Sequence, residues 1–108
     1  MNLPTEIFGD VVVVHAPQEL GAEQAEPLAG FVPQLERTHV VFDLDGTELL
    51  DSRGLEALLG VQDALRDRGG DMRIAVTNST NRKIFEITRL DQQLEIFDSV
   101  IDAVKSFQ

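Results

Sequence analysis

Hydrophobic positions in this chain come as short dense runs separated by stretches in which they recur every three to four residues. Val11-Val12-Val13-Val14-His15 is β-branched and bounded by Gly9-Asp10 and Ala16-Pro17, a pattern that predicts a buried strand. His39 to Leu44 and Met72 to Val76 read as two more buried strands, and Leu94-Glu95-Ile96-Phe97 as a short last one. Between them the period changes. Arg53 to Asp67 places Leu55, Leu58, Leu59, Gln62 and Leu65 on one helical face, with Gly69-Gly70 as the stop.

The remaining helical segments are less regular. Ala22 to Arg37 carries Leu28, Phe31, Val32 and Leu35 at helical spacing, but Pro27 and Pro33 fall inside it. Interior proline costs about 3 kcal/mol, so a broken or short helix is expected there. Thr80 to Leu90 predicts a helix with Ile84, Ile87 and Leu90 inward and Thr80 or Asn81 as its cap. Asp98-Ser99 caps a terminal helix with Val100, Ile101, Val104 and Phe107 on one side. Alternating strands and helices predict an α/β fold. With no linker, repeat or low-complexity segment, residues 1–108 are expected to form one domain around one core.

Composition narrows the function more than the fold. The absence of cysteine excludes disulfides and thiolate chemistry and fits the cytoplasm. No apolar run approaches the roughly 20 residues that span a bilayer, and no basic segment followed by an apolar one opens the chain. Neither membrane insertion nor a signal peptide is therefore expected. The net charge of −10 disfavours nucleic acid and anionic lipid, which require clustered Lys and Arg, but speeds encounter with a basic protein. The six phenylalanines are not interleaved with basic residues and read as core.

The segment Thr47-Glu48-Leu49-Leu50-Asp51-Ser52-Arg53-Gly54-Leu55 joins the second strand to the strongest helix. Ser52 stands where an N-cap is wanted, its oxygen able to accept from an unpaired NH of the first turn. The same position suits a phosphoryl group, because a helix N-terminus carries partial positive charge and free NH groups. A phosphate on Ser52 would place nearly two negative charges beside Asp51, with Glu48 and Glu56 near in sequence, and would repel a docked partner. Gly54 either permits another backbone to approach closely or is merely a tolerated helix glycine.

Val40-Val41-Phe42-Asp43-Leu44, Leu49-Leu50-Asp51-Ser52-Arg53-Gly54-Leu55 and Leu58-Leu59-Gly60 together resemble the STAS domain of bacterial anti-sigma factor antagonists. Arg68-Gly69-Gly70, Arg82-Lys83-Ile84-Phe85-Glu86-Ile87-Thr88-Arg89-Leu90, and Ile96-Phe97-Asp98-Ser99-Val100 before Ala103-Val104 extend the likeness from Gly9 to the C-terminus. The resemblance implies a mixed sheet of four to five strands flanked by about four helices. It implies a partner, an anti-sigma factor with serine kinase activity, and a serine phosphatase that reverses the modification. Ser52 would be the phosphorylated serine, and Asp51, Ser52, Arg53, Gly54, Leu55 and Asn78 the partner-binding residues. No catalysis, metal or cofactor is implied. Many members carry Gly-Glu-Leu-Asp after the first strand where this chain has Gln18-Glu19-Leu20-Gly21, so the family aspartate is replaced by Gly21. A STAS-type scaffold or transport-associated module without phosphorylation fits the same residues.

A rival motif overlaps. Phe42-Asp43-Leu44-Asp45-Gly46-Thr47 looks like the first motif of haloacid dehalogenase-type phosphatases, with Asp43 as nucleophile, Asp45 as acid/base and Mg²⁺ between them. Val76-Thr77-Asn78 passes for the second motif, but residues 79–108 hold no Gly-Asp-x-x-x-Asp or Asp-Asp to complete a metal site. Asp43 and Asp45 also read as strand-end and turn residues. His15 and His39, without cysteine or a third ligand, are strand-end histidines before they are zinc ligands. Thr77-Asn78-Ser79-Thr80-Asn81 is expected to form a turn and cap on the sheet edge that carries Ser52.

Overall fold

The valine runs settle where the sheet lies. The computed structural model describes Met1–Gln108, and its elements are β1 Thr5–Phe8, β2 Val11–His15, β3 Glu19–Leu20, α1 Ala22–Phe31, β4 His39–Asp43, β5 Leu49–Leu50, α2 Ser52–Asp67, β6 Asp71–Ala75, α3 Ser79–Ile87, β7 Glu95–Phe97 and α4 Val100–Lys105. Short 3-10 turns follow α1, at Val32–Gln34, and α3, at Leu90–Gln92. The main sheet has the order β1-β2-β4-β6-β7. Its four later strands run parallel and β1 is antiparallel to β2. The sheet is thus mixed and five-stranded, with four α-helices.

Strands covered on both faces show unbroken apolar runs instead of alternation. Val12, Val14, Val40, Phe42, Met72 and Ile74 face the larger core beneath α1 and α2, where Leu28, Leu55, Leu58 and Leu65 close it. Val11, Val13, Val41 and Ala75 face the opposite way and are sealed by Ala103 and Val104 of α4. Gly69, at φ +83°, lets the chain leave α2, and the Gly70 NH bonds back to the Leu65 carbonyl at 2.8 Å.

At the N-terminal ends of the parallel strands an ion network fastens the last helix. Asp71 accepts from Arg66 at 3.0 Å and Arg73 at 2.8 Å, and Arg73 also reaches Glu95 at 2.6 Å. The Arg73 guanidinium lies 4.3 Å over the Phe107 ring, which stacks on His39. Burial works to raise the Asp71 pKa, but the Met72 NH and the two arginines outweigh it and hold the carboxyl below its ordinary value.

Several expectations from sequence need correcting. α1 is the expected short helix, but Pro27 does not break it; it ends at Phe31, and Pro33 sits inside the 3-10 turn that follows. α3 turns Asn81 and Phe85 inward, while Ile87, about 200° round the helix from Phe85, is 73% exposed. On α4, Ile101 points to solvent and Ala103 takes the core position. Phe42 and Phe85 are fully buried, but Phe8 is exposed and Phe31, Phe97 and Phe107 are half-buried. β1, β3 and β5 were not expected.

Candidate functional site

The parallel strands β2, β4 and β6 end along one edge, and the segments leaving them are cross-tied there by buried polar groups. Thr47 Oγ1 donates to the Pro17 carbonyl at 2.8 Å, and Asn81 Nδ2 donates to the Thr47 carbonyl at 2.7 Å. Both side chains are buried, and buried polar groups persist in native folds only when paired. Asp45 Oδ1 accepts from both Thr77 N and Thr77 Oγ1 at 2.8 Å. The backbone NH groups of Glu48 and Leu49 bond to the Gln18 carbonyl at 2.8 and 3.2 Å, beside the β3–β5 pair. Three connections thus meet in one rigid rim. The sequence offered Asn81 only as a cap and Thr47 only within motifs; a threonine and an asparagine in polar loops carry no burial signal of their own.

Held by that rim, the segment 51–55 takes a specific form. The N-cap of α2 is Asp51, not Ser52: its Oδ1 accepts from the Arg53 and Gly54 NH groups, each at 3.0 Å. Pairing of β5 with β3 continues through Asp51, whose NH bonds to the Leu20 carbonyl at 3.3 Å, so the helix can begin only at residue 52. Ser52 is therefore the first helical residue, exposed, with its hydroxyl released from capping duty.

Gly54 and Leu55 lie on the inner side of the turn and are buried. A Cβ on Gly54 would sit 2.0 Å from the Leu20 carbonyl oxygen, so the backbone that approaches this glycine is the chain's own β3. The outer side presents Asp51, Ser52 and Arg53, together with Leu49, which is 61% exposed. Gly21 has a similar tightness, since a Cβ there would lie 2.8 Å from Asp51 Oδ2. The missing side chain leaves Asp51 free to cap. Beside it opens a cleft of about 430 Å³ lined by Glu19, Gly21, Glu23, Leu49 and Asp51 among others.

Asn78 is exposed on the same sheet edge and caps α3, accepting from Thr80 N at 2.8 Å and Asn81 N at 3.3 Å. The expectation that Thr80 or Asn81 would cap is thereby corrected. The Asn81–Thr47 bond connects this corner to the segment that carries Ser52.

Asp43 and Asp45 are each engaged by neighbouring groups of the chain. Asp43 Oδ2 accepts from His15 Nδ1 at 2.8 Å and Oδ1 from the Asp45 NH at 3.0 Å, while Asp45 holds Thr77. No cluster of three or more His, Asp or Glu side chains is arranged to hold a metal ion. His15 has a second partner, Glu6 Oε1, at 2.6 Å. That hydrogen bond raises the His15 pKa most; partial burial opposes it, and Asp43 adds to the rise.

The comparisons with known proteins agree with this architecture. The model of the STAS domain family matches residues 2–103. The anti-sigma F factor antagonist of Paenibacillus polymyxa is 24% identical over 70 residues, a match covering 65% of this chain and 60% of that relative. A protein of Thermotoga neapolitana, assigned by homology as an anti-sigma factor antagonist, is 25% identical over 109 residues, covering 97% and 96%. Among solved structures, the anti-sigma factor antagonist SpoIIAA of Bacillus superposes in its unphosphorylated form with a TM-score of 0.74 at 20% identity, covering 98% of this chain and 96% of that one. Its phosphorylated form gives 0.65 at 18% identity, covering 99% and 100%. No helix of this chain is long and apolar enough to cross a membrane. With its family model matched over nearly the whole length and its sheet order in place, the chain belongs to the STAS domain family.

Proposed function

We propose that this chain is an anti-sigma factor antagonist that binds an anti-sigma factor of the serine-kinase type and is released when Ser52 is phosphorylated. The docking face is formed by Asp51, Ser52, Arg53 and Asn78, with Leu49 as an apolar contact and Gly54 and Leu55 as the buried backing of the turn. A serine phosphatase resets the switch. In this reading the chain acts as one domain in the cytoplasm, binds no nucleic acid, and has neither catalysis nor a cofactor of its own.

The observation that carries the reading is Ser52 at the first position of α2, exposed and free of capping because Asp51 does that work. A kinase needs an accessible hydroxyl, and here its modification leaves the helix cap intact. A phosphate adds nearly two negative charges next to Asp51, on a protein whose net charge is already −10. The helix N-terminus tolerates that charge, whereas a partner packed on it does not. The names of the relatives and the existence of phosphorylated SpoIIAA support the same reading.

Gly21 favours a second reading. It stands where many members of the family carry an aspartate near the phosphorylated serine, and a binding module that is never phosphorylated has no need of that carboxylate. The test is binding of wild type, Ser52→Ala and Ser52→Asp to the anti-sigma factor by titration calorimetry. The switch predicts tight binding by the first two and weak binding by Ser52→Asp. Equal binding by all three rejects the switch and leaves the module.

A further inference from the structure

We propose that His15 is a pH-sensitive latch that fastens the edge strand β1 to the sheet through Glu6 and releases it when the imidazolium loses its proton. The geometry requires a charged ring. Nε2 lies 2.6 Å from Glu6 Oε1 and Nδ1 lies 2.8 Å from Asp43 Oδ2, and carboxylates only accept. A neutral imidazole has a single N–H, so one of the two contacts would then set a lone pair against a carboxylate.

Which contact fails follows from how each carboxylate is held. Asp43 is 14% exposed at its side chain and is also tied to the Asp45 NH at 3.0 Å, so it stays. Glu6 is 56% exposed and has no other hydrogen-bond partner, so it leaves. Glu6 of β1 and Asp43 of β4 are the charged groups that act on His15; Asp45, the next acid along the chain, is turned to Thr77.

β1 has little else to hold it. None of its four residues is buried, and Ile7 and Phe8 both remain largely in water. Beyond the backbone ladder to β2, its ends are tied by the His15 NH to the Pro4 carbonyl at 3.0 Å and by Arg37 to the Gly9 carbonyl at 3.1 Å. Strands with few buried contacts open first, at a small fraction of the global unfolding free energy. The His15 latch therefore governs that local opening.

The direction is fixed by linkage. The closed strand holds His15 protonated to a higher pH than the open strand, where Glu6 is gone and only Asp43 still raises the ring above its ordinary value. The latch acts fully below the open-state pKa and is lost as the pH rises through the raised, closed-state pKa.

The test combines an NMR titration of the His15 ring with hydrogen exchange of the β1 amides, on wild type and Glu6→Gln. The proposal expects His15 to titrate above the ordinary value in wild type and to fall toward it in Glu6→Gln. Protection of β1, corrected for intrinsic exchange, should drop across the same pH range in wild type by the ratio of the closed and open acid constants. In Glu6→Gln the β1 protection should be low and flat with pH. A His15 that titrates at or below the ordinary value overturns the latch. So does β1 protection that is independent of pH in wild type, or equal in the two proteins.

Discussion

Adding one methyl group at Gly54 tests how tightly the Asp51–Leu55 turn is braced from beneath. In an ordinary exposed helix position Gly→Ala gains about 0.8–1 kcal/mol, because alanine loses less backbone entropy. At Gly54 the new Cβ would stand 2.0 Å from the Leu20 carbonyl oxygen and 2.7 Å from its carbon, where real Cβ contacts essentially never fall under 3.0 Å. The obstacle is backbone of β3, pinned to β5 and to Asp51, so it cannot swing aside as a side chain would. The first turn of α2 must shift by about 1 Å, and overpacking of this kind costs about 1–3 kcal/mol, here toward the upper end. Set against the propensity gain, Gly54→Ala is expected to lose about 2 kcal/mol, or roughly 10 °C in Tm for a domain of this size.

Gly60 provides the control within the same helix. A Cβ there meets nothing within 4 Å, so Gly60→Ala should gain up to about 1 kcal/mol. Urea denaturation of the three proteins, with the slope held constant, reads both changes. If Gly54→Ala proves as stable as wild type while Gly60→Ala shows its gain, the bracing of α2 against β3 is wrong.

Other consequences follow from the same geometry. Asn81→Ala strips the buried Thr47 carbonyl of its donor and should destabilise by about 1–3 kcal/mol in a denaturant titration; a change within error would mean that water replaces the amide. Asp71→Asn should cost about 1 kcal/mol at neutral pH. Because the Asp71 pKa is lowered on folding, that difference is present above the ordinary carboxylate range and should disappear as the pH falls through the folded value, as followed by thermal melts against pH. A difference that persists in acid would assign the effect to packing.

Much of the fold was legible because the inner strands are buried on both faces and leave no polar interruption in Val11–Val14 or Val40–Phe42. β1 was not, since Thr5-Glu6-Ile7-Phe8 is wholly exposed and lacks the apolar density that marks a strand. The pairs Glu19–Leu20 and Leu49–Leu50 are two residues each, too short for any period, yet they decide where α2 begins. That is why the sequence reading placed the cap one residue late. Asp51 and Ser52 are both good caps, and only the long-range pairing with β3 chooses between them. Of the residues expected inward after Thr80, Ile84 and Leu90 do pack against the core, and Ile87 alone is misplaced, lying about 200° round the helix from Phe85. Ser52 was singled out from sequence as a cap and as a candidate for phosphorylation; that it is the uncapped neighbour of the cap is seen only in the structure.

The central claim is that Ser52 is the switch, and intact-mass analysis after incubation with the kinase-type anti-sigma factor and ATP tests it most directly. The account predicts one added phosphate on wild type, mapped to Ser52, and none on Ser52→Ala under identical conditions. An unmodified wild type in the presence of an active, bound kinase, or a phosphate that remains on Ser52→Ala, would contradict it.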